Sequence, residues 1–315
     1  MRVLVAGAGV IGTVYGAHLG AAGYDVSVLR HPPRSDEIAA RGLAARDVFD
    51  GTRVESGVKV VPDAAAGRYD LVLVTVRADQ LVPACVRLTG LVGAPTVLFF
   101  GNNPRGRSAI PSVIPGEVRL GFPGVGGVIR GGVAEYVRIR QQPTALQAGS
   151  DPRLAEIEEA LRRRGFRLQR VTDMDGWLAY HAAFVACVSA ALYRCGTDAT
   201  QLAADRSTLN LMCAAVTEAF TALRKSGTTG LPRNLAVLHS AALRPVAVRY
   251  WAKTMRSQTG ELCFASHARH AQEEMLGLGD QVIARLASTP ATSHLHQLLK
   301  SSRPRTDRDN RLTFD

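Results

Sequence analysis

The chain contains no run of 18 apolar residues, so its sequence predicts no membrane-spanning segment and no membrane partner. The opening Met1-Arg2-Val3-Leu4-Val5 carries one positive charge, too short an apolar run, and glycines where a signal peptide needs its hydrophobic region. It reads as a strand and not as a leader. Cysteines are few: five in 315 residues, at positions 85, 187, 195, 213 and 263. They form no C-x-x-C pair and no Cys/His spacing of a zinc site, so no metal site is expected. Cys187, Cys213 and Cys263 fall in apolar helical runs, where a free thiol behaves as a small hydrophobe. A reducing, cytoplasmic compartment is the expectation. Also missing is any aromatic-rich nucleic-acid motif. The formal charge of +11 is scattered, so nucleic acid is not an expected partner. A phosphorylated cofactor or an acidic small molecule would use the same positive excess.

What is present begins at the amino terminus. Arg2-Val3-Leu4-Val5-Ala6 reads as a short buried strand, followed by the G-x-G-x-x-G turn Gly7-Ala8-Gly9-Val10-Ile11-Gly12 and a helix over 13–22. In that pattern Gly7 permits the turn, Gly9 leaves room for a diphosphate beside the backbone, and Gly12 lets helix and strand pack closely. The free N–H groups of the helix start, at Val10, Ile11 and Gly12, would face the phosphates. A second strand, Asp25-Val26-Ser27-Val28-Leu29, stands at the spacing a dinucleotide-binding unit needs. About twenty residues past the glycines, an NAD or FAD site wants a carboxylate for the ribose hydroxyls. This chain has Arg30 there, with Arg34 shortly after. Arginine pairs well with a 2′-phosphate, so NADP(H) is the expected cofactor. The alternative for Arg30 is a solvated surface charge.

Hydrophobic residues make up 46% and charged residues 21%, as expected of a globular chain with about two domains. Along the chain, the residues predict a helix over 35–41, a strand over 58–61, and the doubly buried strand Asp70-Leu71-Val72-Leu73-Val74-Thr75-Val76 ending at Arg77. A helix over 80–88 comes next, then the strand Thr96-Val97-Leu98-Phe99-Phe100, ending near Asn102. Since ligands of open α/β sheets bind beyond the carboxyl ends of strands, Gly9, Arg30, Arg77 and Asn102 point at one crevice. Residues 116–148 alternate and are broken by glycines, which predicts an antiparallel extension of the sheet. Pro152 opens a helix that reaches Arg164, and 166–171 forms a last strand. Thr172-x-x-Asp175 is similar to a capping box for a long apolar helix over 175–195. Further helices are expected over 205–226, 234–244, 247–257, 261–276 and 280–286. The expected fold is therefore α/β: a Rossmann-type doubly wound sheet over 1–172, a helical domain over 173–300, and a disordered basic tail over 301–315.

This order of parts resembles the ketopantoate reductase (2-dehydropantoate 2-reductase) family. The likeness rests on Gly7-Ala8-Gly9-Val10-Ile11-Gly12 at the amino terminus, Leu29-Arg30 after the second strand, Val74-Thr75-Val76-Arg77, Asn102 after Phe99-Phe100-Gly101, and the helical second half. It implies hydride transfer from NADPH to the ketone of a small-molecule carbonyl substrate such as ketopantoate, on the way to pantothenate and coenzyme A. It implies a site in the cleft between the two domains. It also implies that Arg30 takes the 2′-phosphate, that Arg77 stands in for a lysine near the cofactor, that Asn102 is the asparagine beyond the fifth strand, and that Glu261 is the substrate-domain glutamate.

One departure from the family changes the chemistry. The position of the family's catalytic lysine on the long helix holds His181, and the two asparagines at i+4 and i+8 are replaced by Val185 and Ser189. Helical spacing still puts all three on one face. His181 is the candidate proton donor, suited by an ordinary imidazole pKa of about 6.5, or else a hydrogen-bonded core histidine. Tyr180 is a weaker candidate acid and Ser189 a candidate for a substrate carboxylate. Glu261 could hold a substrate hydroxyl or only cap a helix. Two other functions stay open: an oxidoreductase of a different carbonyl, imine or secondary-metabolite alcohol, and a non-catalytic NADP-binding sensor. The apolar faces of the helical half could support a homodimer.

Overall fold

The computed structural model describes residues 1–287 and 293–302. The expected basic tail therefore lies outside the described residues from 303 onward. The strands of the main sheet are β1 (Arg2–Ala6), β2 (Asp25–Leu29), β5 (Lys59–Val61), β6 (Leu71–Val74), β7 (Thr96–Phe100), β8 (Glu117–Phe122), β11 (Thr144–Gln147) and β12 (Leu168–Val171). All eight lie side by side in the order β12-β11-β8-β7-β6-β1-β2-β5. All pairs from β5 to β8 are parallel, and β11 runs antiparallel to β8. The chain turns to opposite sides of β1 through α1 (Val10–Gly20) and α3 (Leu81–Leu88), which makes the carboxyl ends of β1 and β6 the switch point of the sheet.

The region over 116–148 differs from the expected extension. Only β8 and β11 join the main sheet, and β8 does so in parallel with β7. Strands β9 (Val125–Arg130) and β10 (Val133–Arg138) leave it and join β3 (Leu43–Asp47) and β4 (Arg53–Ser56) in a second sheet, of order β4-β3-β10-β9. The physical reason lies in α1, whose glycines fall at i, i+4 and i+8. A Cβ on Gly12 would stand 2.0 Å from the Gly7 carbonyl oxygen, one on Gly16 2.6 Å from Leu43, and one on Gly20 1.9 Å from the Ser56 hydroxyl. These glycines make one face of α1 smooth, so strands of the main sheet and β3–β4 of the second sheet both approach it closely. The second sheet packs on α1 through all four of its strands. Tyr15 and His18 on α1 tie the layers, through Thr144 (2.5 Å) and Tyr136 (2.8 Å). Helix α2 (Ser35–Arg41) stands between β2 and β3, and α4 (Pro152–Arg163) starts on an Asp151 cap.

From Met174 onward every element among the described residues is helical. Helix α5 (Met174–Arg194) is long and apolar enough to cross a membrane by length and composition, but 89% of that apolar window is buried inside the fold. It is the axis of the second core. Around it stand α6 (Ala199–Ala204), α7 (Arg206–Lys225), α8 (Arg233–Leu238), α9 (Arg244–Met255), α10 (Ser266–His270), α11 (Gln272–Leu286) and α12 (Ser293–Ser301). The cap of α5 is Asp173, which accepts the Gly176 N–H at 2.9 Å. Asp175, the expected partner in the capping box, instead accepts the Arg107 N–H from the first domain at 2.6 Å. The expected helix over 261–276 is broken. Gly260–Ala265 is a π-helical turn, and a kink at Ala271 separates α10 from α11. All five cysteines are unpaired thiols.

Candidate active site

A cleft of about 480 Å³ opens between the switch point of the sheet and the helical domain. Its floor is the glycine loop. Gly7 has φ +106°, a left-handed conformation that favours glycine, and Gly12 cannot carry a Cβ beside the Gly7 carbonyl. At Gly9 an added Cβ would meet nothing within 4 Å, so the loop is open at the point where the sequence predicts a diphosphate. Gly9 caps α1 without a side-chain bond, and the first backbone donor paired within the helix is Thr13, to Gly9 O. The N–H groups of Val10, Ile11 and Gly12 are thus left for a ligand.

Arg30 lies just past β2 at the same end of the sheet. Its half-exposed side chain is 3.5 Å from Asp36, its one ion pair among the described residues. Arg34 is not a second phosphate arginine. Its guanidinium donates to the Ala8 and Gly132 carbonyls and to Thr13, so it ties the glycine loop to the second sheet. Arg77 lines the cleft, with its guanidinium held by both carboxylate oxygens of Asp79 at 3.0 and 2.8 Å. That pairing raises its pKa further. Asn102 also lines the cleft and donates from Nδ2 to Glu274 Oε1 at 3.3 Å.

Glu274 is the residue that sequence reasoning missed. It sits on α11, 4% exposed, and its Oε1 also takes the Ala78 N–H at 3.4 Å. Its Oε2 has no hydrogen-bond partner, and His267 Nε2 stands 3.7 Å away. Burial holds the His267 ring below its ordinary value, with Glu274 pulling the other way. The available signal was periodic: Glu274 is a carboxylate set against the apolar stripe of Met275, Leu278 and Val282.

Glu261, expected here, is elsewhere. It pairs with Arg269, its side chain is 47% exposed, and it does not line the cleft. The π-turn explains this. One extra residue in a helical turn rotates the preceding residues by about 100° relative to the later ones. Leu262, Cys263 and Phe264 face the cleft in its place. Tyr180 is also turned away. Its hydroxyl donates to the Thr228 carbonyl at 2.8 Å and its ring packs on Phe220. One helical step from His181 is enough to send it to the other side of α5.

His181, Val185 and Ser189 all line the cleft, as their spacing predicts. Ser189 is buried and its hydroxyl has no hydrogen-bond partner among the described residues. His181 is 3% exposed, stacked on Trp177 at 4.9 Å and packed on Phe122 at 4.0 Å. Burial pushes its pKa down to about 3, so the expectation of an acid with an ordinary imidazole pKa fails. Its tautomer can be derived. Gln142 Nε2 donates to the Pro123 carbonyl at 3.1 Å, which orients the amide, so its Oε1 must be the atom 2.9 Å from His181 Nε2. A carbonyl oxygen only accepts; the proton is therefore on Nε2. The buried Nδ1, which has no partner, is then a lone-pair acceptor.

Residues 3–135 match the family model described as ketopantoate reductase PanE/ApbA. No curated protein matches the chain. Among solved structures, a PanE/ApbA family ketopantoate reductase from Ralstonia eutropha JMP134 is similar with TM-score 0.74 and 23% identity, over 96% of this chain and 98% of that one. A 2-dehydropantoate 2-reductase from Geobacter metallireducens GS-15 gives 0.76 and 15%, over 96% and 99%. The ternary structure of D-mandelate dehydrogenase with NADH and anilino(oxo)acetate gives 0.73 and 15%, over 96% and 97%. Residues 3–135 thus carry the signature of the PanE/ApbA ketopantoate reductase family, and the chain as a whole has the fold of that family's solved members.

Proposed function

We propose that this chain is an NADP-dependent oxidoreductase that interconverts a 2-oxo acid and the matching 2-hydroxy acid. The observation that carries this reading is convergence. The open loop at Gly9, Arg77, Asn102 and the 181–185–189 face of α5 all border one cleft. Arg30, exposed beyond β2, is the cation for a 2′-phosphate. The neighbouring D-mandelate dehydrogenase structure, with its NADH and anilino(oxo)acetate, supports a substrate of this type.

A nicotinamide cofactor bound in the cleft would supply or take the hydride. The chain's own part is to place the substrate and exclude water. His181 Nδ1 accepts a hydrogen bond from the substrate hydroxyl and takes its proton as the hydride leaves for the nicotinamide; in reduction the same nitrogen, protonated transiently from solvent, returns that proton to the new alkoxide. Ser189 lies two turns along the same face, about 12 Å away. Its hydroxyl is free to donate to a ligand group at that end of the cleft. No lysine lines the cleft, and its one arginine is already held by Asp79. The ketone of a ketopantoate-type substrate thus loses the ammonium that the family resemblance implies.

A second reading, reduction of an imine or oxidation of another alcohol, is favoured by one observation. Three buried acceptors of the cleft, Asn102 Oδ1, His181 Nδ1 and Glu274 Oε2, have no hydrogen-bond partner, though His267 stands 3.7 Å from the last. Such a site suits ligands that bring N–H or O–H groups. The test is turnover of NADPH with a panel of 2-oxo acids, ketopantoate included, and of NADP⁺ with the matching 2-hydroxy acids and amines. Oxo and hydroxy acids turning over supports the first reading, amines alone the second. Turnover with none overturns both.

A further inference from the structure

Among the described residues, Glu274 is the one buried carboxylate that borders the cleft. Its Oε1 takes the Ala78 N–H, just beyond β6, at 3.4 Å and Asn102 Nδ2, beyond β7, at 3.3 Å. Both are longer than the roughly 2.9 Å of an ordinary N–H···O bond, so they answer little of the charge. Oε2 has no hydrogen-bond partner, and burial works against a charge on the His267 ring 3.7 Å away. Asn102 commits its Nδ2 to Glu274, which leaves its own buried Oδ1 without a partner beside the same carboxylate. The surrounding charges do not balance. Arg77 is near enough to feel Glu274, but both oxygens of Asp79 already hold its guanidinium. Two carboxylates thus share one arginine, and no other Lys, Arg, Asp or Glu among the described residues lines the cleft. A carboxylate kept from water without a counter-ion is costly, and its pull on an entering cation is strong where the dielectric is low.

We propose that Glu274 makes this cleft select the oxidised form of the nicotinamide cofactor over the reduced form. The proposal rests on the oxidoreductase reading above. Glu274 meets the chain at the carboxyl ends of β6 and β7, across the switch point from Arg30. In a doubly wound sheet the second half of a dinucleotide lies on that side. The nicotinamide ring is positively charged when oxidised and neutral when reduced. Its carboxamide brings the same two N–H donors in both forms, so hydrogen bonds to Glu274 and Asn102 add affinity without discrimination. Only the ring charge differs, and Glu274 is the group that meets it with an uncompensated negative charge. A ligand shifts a binding equilibrium by its differential affinity alone, and here that difference is electrostatic. A mixed pool therefore leaves the cleft held by the oxidised cofactor, and reductive turnover slows as that form accumulates.

The test is calorimetric titration of the full chain with NADP⁺ and with NADPH, in the absence of substrate. The wild type is expected to bind NADP⁺ at least about fivefold more tightly than NADPH, the order of effect one buried charge produces. Glu274→Gln keeps an oxygen for the Ala78 and Asn102 donors and removes only the charge. It is expected to lower the preference at least about fivefold, through weaker NADP⁺ binding. Equal weakening of both forms, or no change in either, would make Glu274 a hydrogen-bonding or structural residue and overturn the proposal. If Glu274→Gln does not fold, the wild type decides alone. NADPH bound as tightly as NADP⁺, or more tightly, overturns the proposal while leaving the oxidoreductase reading intact. Binding of neither nucleotide overturns both.

Discussion

Gln142 holds His181 in a single tautomer: its amide is anchored to the Pro123 carbonyl, so its oxygen takes the imidazole Nε2 proton at 2.9 Å. The ring is therefore expected to be neutral, with Nδ1 bare, from pH 8 down to pH 5. Nitrogen NMR of labelled His181 checks this, and an imidazolium signal at pH 5 would contradict it. Gln142→Ala leaves a buried N–H without its acceptor. The expected loss of stability is about 1–3 kcal/mol, together with a mixture of tautomers.

Three buried histidines share this depression. Burial lowers His18 and His181 to about 3 and His239 to about 4. Such a group stays neutral when folded and takes a proton when unfolded below about pH 6.5. Its contribution to stability is present in full above that pH and is lost as pH falls toward the folded value. At pH 5 each would cost on the order of 2 kcal/mol relative to pH 7. Urea unfolding at the two pH values should show the drop, and His239→Gln should make it shallower.

The two glycines of the loop should fail differently. Gly9→Ala places its methyl where nothing stands within 4 Å. The variant is expected to melt like the wild type but bind the cofactor at least tenfold more weakly, because the methyl occupies the diphosphate's space. Gly12→Ala drives a Cβ to 2.0 Å from the Gly7 carbonyl and 2.7 Å from Thr75 Oγ1. It should lose both stability and binding, by about 1–3 kcal/mol for the strain alone. Melting curves and cofactor titrations on both variants separate the two effects.

Removing the α5 cap is a purely structural change. Asp173 accepts the Gly176 N–H and the Thr229 hydroxyl. Asp173→Ala should cost about 1–2 kcal/mol in denaturant unfolding, with the slope against denaturant unchanged.

The local elements of the first domain were legible because their signals are local. Apolar alternation and the glycine spacing place β1, β2, β7 and α2 with no tertiary information. The second sheet was not legible. Its strands are short, and what defines it is the smooth face of α1, a partner far away in sequence. The face formed by His181, Val185 and Ser189 was readable because helical period alone sets it. Its electrostatics were not, since the pKa of His181 depends on Trp177, Phe122 and Gln142 closing over it. Glu261 was misplaced for a local reason of another kind. Its role came from the family resemblance, which does not register the π-turn that turns it out of the cleft; the buried carboxylate there is Glu274, on α11.

On Arg30 rests the proposed preference for a cofactor with a 2′-phosphate. Its exposed pair with Asp36 contributes little to stability, so Arg30→Ala should fold as the wild type does. Calorimetric titration of both proteins with NADP⁺ and NAD⁺ decides the matter. One-to-one binding is expected, with at least tenfold preference for NADP⁺ in the wild type and loss of that preference in Arg30→Ala. Wild-type protein that binds neither dinucleotide, or both equally, would refute the assignment.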